Sequence, residues 1–277
     1  MSLQRTVVIT GASSGIGAVT ARRLADDGAR VVVVGRNQER TTDVARSVGG
    51  DPLIADFDRL DDVRSLAAEL LRRYERIDVL LNNAGGISAR HELTVDGFER
   101  TIQANHLAPF LLTNLLLPRI RQSAAYGPTR VVSTASTANR YGRLRLDDLN
   151  WEHRPWLGGW GAYGASKLAT ILFIRQLAER TAGTGVSAYS VHPGLVVTSF
   201  GMQLRTMRLA SAITGGHYGI SAEAGAEPLV RLAGEAPIGA PSGTYFDRFT
   251  AGGHVSARAT DALGRELWDL SARLTGC

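Results

Sequence analysis

Short apolar runs recur through most of this chain, at residues 6–10, 30–34, 52–55, 78–81, 130–135 and 186–191. They are apolar nearly throughout, not at alternate positions, which marks strands of a sheet covered on both faces. Between them lie stretches with helical spacing, at 15–27, 38–48, 61–74, 98–121 and 163–181. Strand and helix in alternation, joined by short loops, give right-handed crossovers and a parallel sheet. The rhythm lapses after Leu195, then resumes with a strand at 243–246 and a closing helix at 261–274. No Pro/Gly/Ser-rich linker, repeat or composition break divides it. The expectation is a single α/β domain over residues 1–277, a doubly wound, mainly parallel seven-stranded sheet with helices on both faces.

Composition narrows the function classes. With 44% apolar and 21% charged residues, the 277-residue chain has the profile of a soluble globular protein. Its one cysteine, Cys277, excludes an internal disulfide or a Cys-based metal cluster, and the histidines lack metal-ligand spacing, so no metal is expected. The net charge of +5 comes from scattered arginines, without a basic block, which argues against nucleic acid as a partner. The longest apolar stretch, 107–117, is broken by Pro109, Thr113 and Asn114 and falls short of the ~20 residues a spanning helix needs. The first residues run straight into a strand, not into a leader. A cytoplasmic protein without membrane attachment is expected.

The first strand ends in Thr10-Gly11-Ala12-Ser13-Ser14-Gly15-Ile16-Gly17 and opens a helix. Glycines there allow a sharp turn and close approach of a ligand, and the helix start offers free N–H groups to phosphate. Tight turns use the same residues, but the placement between strand and helix favours a dinucleotide cradle over Gly11, Ser13, Ser14, Gly15, Ile16 and Gly17. At the tip of the second strand stands Arg36 with no carboxylate beside it. A guanidinium suits a 2′-phosphate, so NADP(H) is expected in preference to NAD(H). Asp56 follows the third strand, where it would accept from the adenine amine or else cap a turn. Asn82-Asn83-Ala84-Gly85 follows the fourth, at the edge where open α/β sheets bind ligands.

Tyr163 and Lys167 are four positions apart on a helical stretch, hence on one face. Lys167 is the chain's only lysine. A free tyrosine ionises near pH 10. A cation ~4 Å away, at an effective dielectric of ~20, is worth up to ~4 kcal/mol, or roughly three units downward. Such a phenol would work as acid or base near neutrality.

Taken in order, Thr10-Gly11-x-x-x-Gly15-x-Gly17, Asn82-Asn83-Ala84-Gly85, Tyr163-x-x-x-Lys167 and His192-Pro193-Gly194 resemble the short-chain dehydrogenase/reductase family over essentially the whole chain. The fold is then a Rossmann-type sheet. Asn105-His106-Leu107, the insert 144–161 and the tail Ser242-Gly243-Thr244-Tyr245-Phe246 are most similar to its retinol-dehydrogenase-like branch. The resemblance implies hydride transfer between a nicotinamide dinucleotide and a lipophilic alcohol or carbonyl, with Tyr163 as general acid or base. Lys167 would hold the nicotinamide ribose and depress the tyrosine. Asn105 would hold a relay water, or else shape a helix kink. Ser136 would polarise the substrate carbonyl, with Ser133 as the fallback, since Ser133-Thr134-Ala135-Ser136 departs from the usual Asn-x-Ser-Ser. Asn83, Ala84 and Gly85 would line the cofactor, and Pro193, Gly194 and Thr198 would face the nicotinamide. Residues 199–225 would form a substrate lid, or else hold an ordinary packed helix. Trp151, Trp156 and Trp160 would either line a cleft or pin the insert. The helix 163–181 is apolar around most of its circumference, which favours a homodimer or homotetramer. Two other functions share parts of this pattern, a catalytically silent dinucleotide sensor and a nucleotide-sugar epimerase. The intact Tyr163/Lys167 pair disfavours the first and the glycine spacing disfavours the second.

Overall fold

The structure, a computed structural model, describes residues 4–196, 219–234 and 236–277. Its centre is one sheet in the order β3-β2-β1-β4-β5-β6-β7-β8. The strands β1 (Thr6–Thr10), β2 (Arg30–Gly35), β3 (Asp51–Ile54), β4 (Val79–Asn82), β5 (Thr129–Thr134), β6 (Val186–His192) and β7 (Tyr245–Asp247) are parallel. The two residues of β8 (Thr250–Ala251) fold back antiparallel on β7, one strand beyond the expected seven. Every residue of β1 and β4 is buried, as continuous apolar runs require of a doubly covered sheet.

Helices α1 (Gly15–Asp26), α2 (Gln38–Ser47) and α6 (Ala222–Ala233) pack on one face around Val31, Val33, Leu81 and Val191. Helices α3 (Leu60–Arg73), α4 (Ala108–Ser123) and α5 (Trp160–Arg180) pack on the other, around Val8, Val32, Leu80 and Val131. On that second face the register sets Asn82, Ser133, Ser190 and Tyr245 in one buried polar row across β4 to β7.

The helix expected over 98–121 is interrupted. A short turn, Arg100–Ile102, passes into a π-helical segment, Gln103–Leu107, before α4 begins. The N–H of Ala108 reaches back five residues to the Gln103 carbonyl. Pro109 has no N–H to give the carbonyl of Asn105 four residues earlier, so the widened turn follows from the proline.

Helix α5 is buried around its circumference, and the chain itself supplies the outer cover. Helix α7 (Asp261–Thr275) lies across α5 and touches α4. Its Trp268 stacks on Phe173 at 5.8 Å and meets Phe110 edge-on at 4.9 Å, under the Arg180 guanidinium. Leu267 joins Ile102, Leu168 and Leu172 in a second cluster. The apolarity that favoured a homo-oligomer is thereby accounted for within one chain. Among the described residues, no helix is long and apolar enough to cross a membrane.

Candidate active site

The sheet order reverses at β1, flanked by β2 and β4, and ligands bind such sheets beyond the carboxyl ends at this point. Four loops meet there. After β1, helix α1 is preceded by Ser14, whose side chain makes no capping bond, and no acidic residue stands in its first turn. The first-turn N–H groups are thus left for an anion, with a favourable helix dipole. A Cβ on Gly17 would collide with the Gly11 carbonyl, so only glycine lets loop and helix close this tightly. These features fit a dinucleotide pyrophosphate.

Asn83 stitches three strand ends together. Its Nδ2 donates to the Thr10 and Gly11 carbonyls at 3.1 and 3.2 Å, and its Oδ1 accepts from Thr134 Oγ1 at 3.2 Å. The N–H groups of Asn83 and Ala84 both donate to Thr10 Oγ1 at 3.0 Å. Arg36 is exposed at the tip of β2 and makes no ion pair among the described residues. Asp56 is half-buried beyond β3, and its Oδ1 accepts from the Asp58 N–H at 3.1 Å, the turn-capping geometry.

Tyr163 and Lys167 come together on the first turns of α5, as their spacing predicts. Lys167 Nζ lies 5.6 Å from the centre of the Tyr163 ring and donates to the Thr134 carbonyl at 2.8 Å. The expected depression of the phenol is not what burial produces. Tyr163, 7% exposed, is pushed up to about 12 by desolvation, partly offset by a hydrogen bond from Ser136. Lys167 is brought down to about 8, also by desolvation. The i,i+4 argument counted attraction at surface-like dielectric and omitted the cost of taking both charged forms out of water.

Ser136 is the hydroxyl at the site. It caps the 3₁₀ turn Thr137–Tyr141 by accepting from the Ala138 N–H at 3.2 Å, and it is hydrogen-bonded to Tyr163. Ser133 faces into the buried polar row, within 3.5 Å of Asn82 Nδ2, so the fallback position points away from the site. Asn105 sits inside the π-helical segment and its side chain is fully engaged. Oδ1 accepts from the Gly86 N–H at 2.8 Å, and Nδ2 donates to the Gly86 carbonyl and Ser166 Oγ, both at 2.9 Å. A Cβ on Gly85 would lie 2.5 Å from Asn105 Oδ1. Pro109 has no N–H to give the Asn105 backbone carbonyl, which accepts from Thr170 Oγ1 at 3.4 Å. The kink and any relay therefore share one cause, Pro109, a signal readable four residues after Asn105.

The insert is pinned more than it is a wall. Trp151 is buried, donates to the Pro155 carbonyl at 3.1 Å and lies under the Arg154 guanidinium. Trp156 donates to the Ala89 carbonyl at 2.9 Å. Trp160 alone of the three approaches the site, edge-on to Tyr163 at 6.1 Å, and joins Ile87, Ala89 and Ala138 in an apolar collar around the phenol. Pro193 and Gly194 follow β6, and Gly194, at φ +105°, packs against Ile220. Thr198 and most of the expected lid lie outside the described residues. The end of that span is helix, because α6 starts at Ala222 on a Ser221 cap.

Comparisons with known proteins place this arrangement. The family model for short chain dehydrogenases matches residues 5–148 and 152–209. Retinol dehydrogenase 13 of Homo sapiens is 35% identical over 284 residues, spanning 98% of this chain and 85% of that protein. A proposed daunorubicin C-13 ketoreductase of Streptomyces sp. (strain C5) is 42% identical over 280 residues, spanning 98% and 93%. The crystal structure of an uncharacterized protein from Mycobacterium paratuberculosis superposes with a TM-score of 0.79 at 37% identity, covering 99% of this chain and 94% of that one. The chain therefore belongs to the short-chain dehydrogenase/reductase family, with its likeness on the retinol-dehydrogenase side, and is an NAD(P)-dependent oxidoreductase acting on CH–OH groups.

Proposed function

We propose that this enzyme reduces the carbonyl of a lipophilic substrate, with NADP(H) preferred over NAD(H). The observation that carries the reading is the Tyr163 phenol. It is enclosed by Ile87, Ala138 and Trp160, held by Ser136, and keeps its proton far above neutral pH. A phenol in that state carries its proton at working pH, as the donor in carbonyl reduction must, and its weakened acidity has to be offset by Ser136 and Lys167 as the proton leaves. The apolar collar suits a substrate that brings little polar surface to the reacting carbon. Likeness to a ketoreductase and to a retinol dehydrogenase supports the same class.

The dinucleotide, when bound, supplies the hydride. Its pyrophosphate would rest on the Gly11–Gly17 loop with Ser13, Ser14 and Ile16, its adenine near Asp56, and its nicotinamide among Ala84, Gly85, Pro193, Gly194 and Thr198. Arg36, exposed and without an acidic partner among the described residues, would take a 2′-phosphate through its planar fork. Ser136 Oγ orients the substrate oxygen toward Tyr163, which gives up its proton to it. Lys167, as an ammonium, stabilises the phenolate left behind. The Asn105 carbonyl would hold the water that returns a proton to Lys167.

A panel of apolar ketones and aldehydes, followed by NADPH and NADH oxidation, tests both halves. NADPH is expected to be the better donor. Arg36→Ala should weaken NADPH about tenfold to a hundredfold, the scale of a lost charged hydrogen bond, and leave NADH nearly unaffected. Equal efficiency with the two donors in the parent enzyme would overturn the cofactor assignment. Failure to reduce any carbonyl would overturn the reaction.

A further inference from the structure

Ser136 lies just beyond the last residue of β5, and a single side chain fixes the turn that carries it. Asn139 is completely buried. Its Nδ2 donates to the Ser136 carbonyl at 2.8 Å, and its own backbone N–H donates to the same oxygen at 3.1 Å. Its Oδ1 accepts from the Ser256 N–H at 3.0 Å, on the segment that leads into α7. The turn is also pressed on α5, since a Cβ on Gly164 would lie 2.9 Å from both the Ala138 carbonyl and the Tyr141 ring. Of the buried polar row, the Ser133 hydroxyl is turned toward Asn82 and away from this turn, whereas Tyr245 lies within reach of the Asn139 side chain.

We infer that Asn139 is a positioning residue that aims the Ser136 hydroxyl at Tyr163 by clamping the Ser136 carbonyl to the Ser256 segment. An asparagine is suited to this because it donates through one atom and accepts through the other, and both partners are backbone groups. In the completely buried setting neither bond can be replaced by bulk water. Misaiming a reacting group by about 1 Å costs roughly a hundredfold in rate, so a clamp distant from the substrate is visible in kcat. The inference rests on the reading of Ser136 as the group that orients the substrate oxygen.

The test compares Asn139→Asp, Asn139→Ala and Ser136→Ala, alone and combined, with 1-phenyl-1,2-propanedione and NADPH as probes. Asn139→Asp keeps the acceptor for Ser256 and puts an oxygen against the Ser136 carbonyl. Asn139→Ala removes both bonds and stands in if the aspartate does not fold. A second readout needs no substrate: the Cζ resonance of ¹³C-labelled Tyr163, assigned with Tyr163→Phe. The expected result is a fall in kcat of about tenfold to a hundredfold, with KM and NADPH affinity within about twofold. In the Ser136→Ala background the Asn139 substitution should cost nothing further, and the Tyr163 resonance should move as it does in Ser136→Ala. An unchanged kcat, a full second loss in that background, or an unmoved resonance would overturn the role of Asn139. If Ser136→Ala turns over like the parent while the resonance still moves in Asn139→Asp, the reading of Ser136 falls, and the kinetic role of Asn139 falls with it.

Discussion

The two ends of helix α5 are equally buried but respond to burial in opposite ways. Toward its carboxyl end, Phe173, Ile174 and Leu177 meet α4, β5 and the aromatic ring of Trp268. Removing that surface from water contributes about 1.5–3 kcal/mol for each large side chain. In its first turns the same exclusion of water acts on Tyr163 and Lys167, raising the one to about 12 and lowering the other to about 8. Both shifts favour the neutral form, and only Ser136 and the Thr134 carbonyl push back. One helix thus gathers stability at one end and spends part of it holding two ionisable groups out of water at the other. The apolar end should therefore tolerate changes in chemistry but not in volume, and the polar end the reverse.

The sharpest way to break the contrast is Tyr163→Phe, which deletes one oxygen and almost no volume. Turnover should fall by about a thousandfold or more, in the range of a lost general acid. Thermal stability should hold or rise, because a buried phenol is replaced by an apolar ring, and dinucleotide affinity should change little. Steady-state kinetics and equilibrium binding on the same preparation decide it. Substantial turnover without the hydroxyl would show that Tyr163 is not the proton donor.

At the other end, Trp268→Ala should do the opposite. Deleting a large aromatic from a packed seam costs about 3 kcal/mol, less where the ring is partly exposed, as Trp268 is. The loss should show in urea unfolding, while kcat per folded molecule stays at the parent value. Phe110 and Phe173 would then be uncovered, and sedimentation should reveal more self-association in the variant than in the parent. A stability indistinguishable from the parent would mean that α7 is not what seals this face.

Much of this was legible in the sequence. The strand–helix alternation, the glycine loop, and the Tyr163/Lys167 pair depend on local spacing, and local spacing is what a sequence displays. The departures have non-local causes. That the chain itself covers the outer face of α5 depends on a helix almost a hundred residues later. The direction of the tyrosine shift depends on total burial, which no pair spacing encodes. The π-turn at Asn105 is different, because Pro109 was in view, yet the stretch 98–121 was read as one helix and Pro118 is carried inside α4 without a break.

The subtlest test titrates the polar end directly. Tyr163 stays protonated across the working range, so the proton it donates is not what limits carbonyl reduction as pH rises. Lys167, depressed to about 8, is a different matter. Below that value it is an ammonium and can stabilise the phenolate that forms. Above it the charge is lost, and the rate should fall by up to tenfold per pH unit. The expected profile is therefore a plateau through neutrality with a falling limb that starts near pH 8, instead of at the 10.5 of an ordinary lysine. Bound dinucleotide would move that limb by its own charges, so the profile should be read in kcat/KM for the carbonyl and in single turnover. Lys167→Met should lower the plateau and erase the limb, since the group that titrates is gone. A parent profile flat to pH 10, or a limb that survives in Lys167→Met, would show that burial has not weakened the ammonium. The two ends of α5 would then differ in composition alone.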